Sequence, residues 1–193
     1  EGAAKAPTRV IYGEHGSMVY NELGLSIQVR DNVRIIQAGG DGNWSMPSLD
    51  GRCDELDITL AEPPSTGLRG DESLSQVVRM DSRGGVLVRF YADPPPENPN
   101  IPWLSRPGAT FFTRGDQGAY LVREGRMEVS SQPGRRAQLL LNLVDDGGGQ
   151  PRRQRMRADR FILSTNSTPR RWTSEGQLES NAMGDREAFE FID

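Results

Sequence analysis

One cysteine, one histidine and one lysine stand among 193 residues, and each scarcity removes a class of chemistry. With Cys53 alone, no internal disulfide can form, which argues against a small disulfide-stapled secreted module. His15 sits in the polar turn Glu14-His15-Gly16-Ser17, so a Ser-His-Asp or Cys-His scheme would rest on one surface residue. One Cys and one His cannot fill a usual zinc site either. Cys53 is followed by Asp54 and Glu55, whose charges disfavour its thiolate. Apolar runs are short: Leu139-Leu140-Leu141 is far below the roughly 20 residues of a membrane-spanning helix. With 27 acids against 23 bases, bulk charge gives no reason to bind nucleic acid.

What is present is turn chemistry and alternation. The chain holds 22 Gly and 13 Pro with 35% hydrophobic residues, the balance of a loop-rich folded domain. Leu25, Ile27 and Val29 alternate with polar residues, and Asp31-Asn32 offers a turn before Val33, which predicts a hairpin. Leu56, Ile58 and Leu60 alternate, as do Val86, Val88 and Phe90 after Gly84-Gly85, and Leu139, Leu141 and Leu143. Segments 109–113 and 119–123 flank an expected turn at Arg114-Gly115-Asp116-Gln117-Gly118. Residues 71–80 carry helical spacing, with Leu74, Val77 and Val78 on one face, and read equally as a strand from Leu74. The expected fold is all-β, an antiparallel β-sandwich (Ig-like or jelly-roll-like) with long loops and at most one short helix.

Three units are expected along the chain: a flexible lead over 1–9, the sandwich over 10–165, and an extended tail over 166–193. The lead is small, polar and ends in Pro7, as a removed signal or lipid-anchor site would leave it, so an extracytoplasmic (periplasmic or cell-surface) location is expected. The tail is polar until Phe189 and Phe191 alternate with Glu190, the pattern of a short docking strand.

The most definite chemistry is basic. Lys5 is the only lysine among 23 basic residues, and arginine forks grip carboxylates and phosphates where lysine acts as a point charge. On a strand through 152–160, Arg153, Arg155 and Arg157 share one face, with Gln154, Met156 and Ala158 on the other; Arg135, Arg136, Arg170 and Arg171 could extend the patch. That face suits an acidic protein surface, phosphate or anionic lipid, and it suits better still the blander role of a solvent face cross-paired with acids on neighbouring strands. No aromatic interleaves these arginines, which disfavours single-stranded nucleic acid. Pro102 and Trp103 lie in the proline-rich segment 94–107, a stiffened loop that would present the indole at low entropic cost. Trp44 and Trp103 could also stack on sugars, and Asp41, Asn43 and Asp50 offer oxygen ligands for calcium, although Met46 and Arg52 break the EF-hand pattern.

These observations favour a non-catalytic extracytoplasmic binding or structural module, an accessory subunit of a larger and membrane-associated protein assembly, with no cofactor. Its contacts would be Pro102, Trp103, Arg153, Arg155, Arg157, Phe189 and Phe191. The alternatives are a carbohydrate- or ligand-binding sandwich using Trp44 and Trp103, assisted by calcium, and a carboxylate-based hydrolase.

Overall fold

A computed structural model describes residues 8–38, 44, 48–63, 76–90, 110–143, 152–164 and 171–183. Among these residues the regular structure is twelve antiparallel strands: β1 (Thr8–Ile11), β2 (Ser17–Asn21), β3 (Ser26–Gln37), β4 (Leu49–Leu60), β5 (Val77–Phe90), β6 (Thr110–Leu121), β7 (Arg126–Ser130), β8 (Ala137–Leu143), β9 (Arg152–Ala158), β10 (Arg160–Ser164), β11 (Arg171–Glu175) and β12 (Glu179–Met183). The expected all-β antiparallel fold is therefore present, in jelly-roll-like form.

The four longest strands each serve two layers. The first half of β3 pairs with β2 and its second half with β1. Likewise β6 pairs with β8 through Thr110–Arg114 and with β7 through Gln117–Leu121. β7 then leads through β10 to β11, while β8 leads through β9 to β12. One hydrogen-bonded sheet is thus folded along a line of corners into a sandwich. The first layer holds β2, the halves of β3–β6 that pair around Leu56, and β7, β10 and β11. The second holds β1, the halves around Val88, and β8, β9 and β12.

The corners are bulges of matched hand. Two residues of β3, Asp31 and Asn32, lie opposite one residue of β4, Asp54. On the next strand Gly84 and Gly85 lie opposite Asp54 on one side and Asp116 of β6 on the other. Asp31, Asn32, Gly84 and Gly85 all take positive φ (72°, 47°, 73° and 51°), which turns the strand while the ladder continues. Carboxylates fill the space this opens. The Asp54 side chain occupies the place of a Gly84 Cβ, Asp159 does the same at Gly176 (φ 83°), and Asp116 Oδ2 accepts from the Gln132 backbone N–H at 2.9 Å.

Two expected turns are therefore corrected. Asp31-Asn32 does not close a hairpin and Arg114-Gly115-Asp116-Gln117-Gly118 does not separate two strands; both lie inside single bent strands. The residues that supply left-handed backbone are the same in a two-residue turn and a two-residue bulge, so local sequence does not separate them. The helical spacing of 71–80 gives way as well. Residues 71–75 lie outside the described residues, and from Val77 onward the chain pairs with β4, placing Val77 opposite Leu60. The sheet also reaches beyond the expected 10–165 boundaries, since β1 starts at Thr8 and β11 and β12 lie in the stretch read as tail. That stretch is polar because these are outermost strands, with Trp172 packed on the core from β11.

Alternate residues of both layers build one core. Val29, Leu56, Val129 and Phe161 from the first layer meet Val88, Leu139 and Met156 from the second, with Val33, Cys53, Val86, Ala137 and Ala158 along the corner line. On the outer surface of the second layer, Asp50 is 4% exposed and held bidentately by Arg34, with Nε to Oδ1 at 2.9 Å and Nη2 to Oδ2 at 3.0 Å. Removing Arg34 would leave a buried carboxylate without its fork, so Arg34→Gln should cost about 2 kcal/mol in urea unfolding. Gly84→Ala should cost about 2 kcal/mol, because it forces an L-residue to positive φ against Asp54. Gly85→Ala meets nothing within 4 Å and should cost only about 1 kcal/mol. Equal losses at the two glycines would refute this account of the corner.

Candidate functional site

Between the layers, the core is not filled. A cavity of about 70 Å3 lies where Ile35, Gly51 and Cys53 of the second layer face Met80, Tyr120 and Met127 of the first. Alternation explains the lining: Ile35, Gly51 and Val88 stand side by side across β3, β4 and β5, while Met80, Tyr120 and Met127 do so across β5, β6 and β7. Gly51 is the gap in its row. A Cβ there would meet Ile35 and Leu49 only at ordinary van der Waals distance, so no backbone crowding excludes a side chain. Thr8 and Gln37 put polar groups at the β1 end.

Cys53 lines this cavity and is buried. Burial pushes its thiol up to about 12, with the Asp54 charge adding to the shift; the backbone hydrogen bond from Glu55 opposes it and outweighs that residue's own charge. The acidic neighbours read from the sequence act in the expected direction, and desolvation is the larger cause. The thiol is an apolar wall rather than a nucleophile.

The outer faces differ in charge. On the first layer, Arg30 reaches Asp57 at 2.9 Å and Glu55 at 3.8 Å, Arg83 reaches the same two acids, and Arg79 holds Asp81 at 2.7 Å. Arg160 bridges Glu128 and Glu175 at 3.7 and 3.2 Å. Apart from Arg79 and Asp81, which are two residues apart on β5, this is pairing between neighbouring strands. Among the described residues, the second layer's outer rows carry Arg9, Arg34, Arg52, Arg89, Arg114, Arg155 and Arg157 against Asp50 and Glu179, with Phe112 and Leu140 buried between them.

The expected site residues fall unevenly on this frame. Pro102, Trp103, Phe189, Phe191, Asp41 and Asn43 lie outside the described residues, as do Arg170 and the side chain of Arg153. Arg155 and Arg157 share the outer face of β9, opposite Asn181 and Glu179 of β12, while Met156 and Ala158 are buried in the core. Gln154 instead donates to the Ser180 hydroxyl at 2.6 Å. Trp44 carries the Arg9 guanidinium 3.9 Å above its ring, so a cation already occupies one face of that platform. Both oxygens of Asp50 are engaged by Arg34. No group of three or more His, Cys, Asp or Glu side chains that could hold a metal occurs among the described residues. Arg135 and Arg136, expected to extend the patch, stand beside Arg157 across a groove; Arg171 is on β11, in the other layer. As a ligand-binding group, the cavity residues were not singled out from sequence. Their one local signal was Gly51, a strand interior without a side chain.

No protein-family model and no curated protein matches the sequence. A solved structure does share the fold: LptH, the LptA-homologous periplasmic component of the conserved lipopolysaccharide transport device from Pseudomonas aeruginosa. The two superpose with a TM-score of 0.57 over 93% of this chain and 96% of that one, at 10% sequence identity. At that identity, the likeness is one of fold.

Proposed function

We propose that this protein is a non-catalytic, extracytoplasmic module that carries a lipid-like amphiphile, with the apolar part of the cargo held between the two layers. The observation that carries the reading is the apolar cavity at Gly51, inside a sandwich whose layers are hydrogen-bonded to one another through the corner line. The cavity is smaller than the roughly 300–1,000 Å3 of a typical ligand pocket. Cargo would therefore enter by parting the layers on the side away from the corners, exchanging side-chain contacts and leaving the ladder intact. The role of LptH in lipopolysaccharide transport is consistent with this use of the fold. In such a device the chain would act as an accessory subunit, in contact with other proteins of the assembly.

Gly51→Val tests the site directly. The added side chain should fill the cavity and raise stability by about 1–2 kcal/mol, from the usual cost per unit of cavity volume. The same change should weaken binding of N-phenylnaphthylamine or a dodecyl-chain amphiphile about tenfold or more. Lost binding with raised stability excludes unfolding as the cause. A wild-type protein that binds neither probe saturably, or a Gly51→Val protein that binds both as before, would sink the reading.

Cys53 supplies an independent probe. With its thiol pushed up to about 12, the native protein at pH 8 should react with iodoacetamide at least about tenfold more slowly than the unfolded chain. Bound amphiphile should slow it further, as followed by mass spectrometry. Native labelling at the unfolded rate would contradict the burial.

A further inference from the structure

At the corner end of the second layer's outer face runs a groove of about 950 Å3, lined by Arg114, Asp116, Arg135, Arg136, Arg157 and Glu179. Two of its four arginines are spent within the fold. Arg135 lies 3.5 Å from Asp116, and Arg136 lies 2.8 Å from Glu179. Arg114 and Arg157 have no ion pair or side-chain hydrogen bond among the described residues, and the Arg157 Nε is buried without a partner. They stand on one outer row, each opposite Gln138 of β8, so their backbones are two interstrand spacings, about 10 Å, apart. Two arginine side chains can close that distance onto one ligand. Gly85 and Gly134 leave the groove open, since a Cβ at either would meet nothing within 4 Å.

We propose that Arg114 and Arg157 form an anion site for a phosphate group, with Arg136 positioned at its border. The charge balance supports the assignment: the two internal pairs cancel, and two guanidinium forks remain to match a phosphate dianion with bidentate hydrogen bonds. The site does not depend on cargo between the layers, because it lies on the outer face. Its ligand is either free phosphate or the phosphate of a lipid headgroup.

Titration calorimetry with inorganic pyrophosphate and sedimentation with phosphatidylcholine vesicles, with and without phosphatidic acid, separate these sources. Saturable binding of pyrophosphate supports the site with a free ligand; binding only to vesicles containing phosphatidic acid supports it with a headgroup. In either case R114Q/R157Q should bind at least about tenfold more weakly, as expected for losing two charged hydrogen-bonding groups. R114K/R157K, which keeps the charge and loses the forks, should fall between that variant and wild type. R83Q, altered on the paired face of the first layer, should bind as wild type does. Thermal melts confirm that each variant is folded, and G51V should keep its phosphate binding even if the cavity proposal fails. Absence of binding to both probes, undiminished binding by R114Q/R157Q, or an equal loss in R83Q would overturn the assignment.

Discussion

Everything in this fold depends on bending a hydrogen-bonded ladder without breaking it. A flat sheet of twelve strands would bury neither face; folded along one line, it buries one face against itself and gains a core. The bend is made by offsetting neighbours, two residues against one, from β3 across to β6. Left-handed backbone on the two-residue side and aspartate on the one-residue side recur along the line. This arrangement also shifts the alternation. Cys53 and Leu56 both face the core although three positions separate them, because Asp54 absorbs the corner.

That shift explains what was legible. Within each half-strand the period of two places side chains correctly: Ile27 and Val29 face inward, as do Leu56, Ile58 and Leu60, and Val86, Val88 and Phe90. Met156 and Ala158 are on the core side of β9 as their spacing implies. The connectivity between half-strands was not legible. Asp31-Asn32, Gly84-Gly85 and Gly115-Asp116 have the chemistry of turns, and only the partner strand determines whether the chain reverses there or bends and continues. The cavity was hidden for a related reason: Ile35 and Met127 are distant in sequence, and only the folding of one sheet half over the other makes them walls of the same space.

The arginine bias acquires its meaning from the two outer faces. On the first layer Arg30, Arg79, Arg83 and Arg160 are committed to Glu55, Asp57, Asp81, Glu128 and Glu175, so substituting any one exposed pair changes little by itself. The second layer has similar arginine density with few acids in register. Its one buried acid among the described residues, Asp50, is already held by Arg34. Within a chain of net charge −4, the outer rows of this layer are arginine-rich among the described residues, although Phe112 and Leu140 on the same face are fully buried. Strand registry, rather than composition, decides which arginines stand opposite acids.

The same corner line governs how the interior could admit a guest. Layers joined by bent strands on one side and by side-chain packing on the other have an unequal resistance to opening. Parting them at the corners would break backbone hydrogen bonds; parting them near Leu49, Met80 and Tyr120 would exchange apolar contacts for others of the same kind. On the proposed reading, an amphiphile's hydrocarbon would replace those contacts as it entered, so the net cost would fall mainly on the ordering of the guest and on the strain at the corners. If the layers part in this way, the backbone freedom that lets Gly84, Gly85 and Gly176 form the corners would also set how far the layers open before a corner resists.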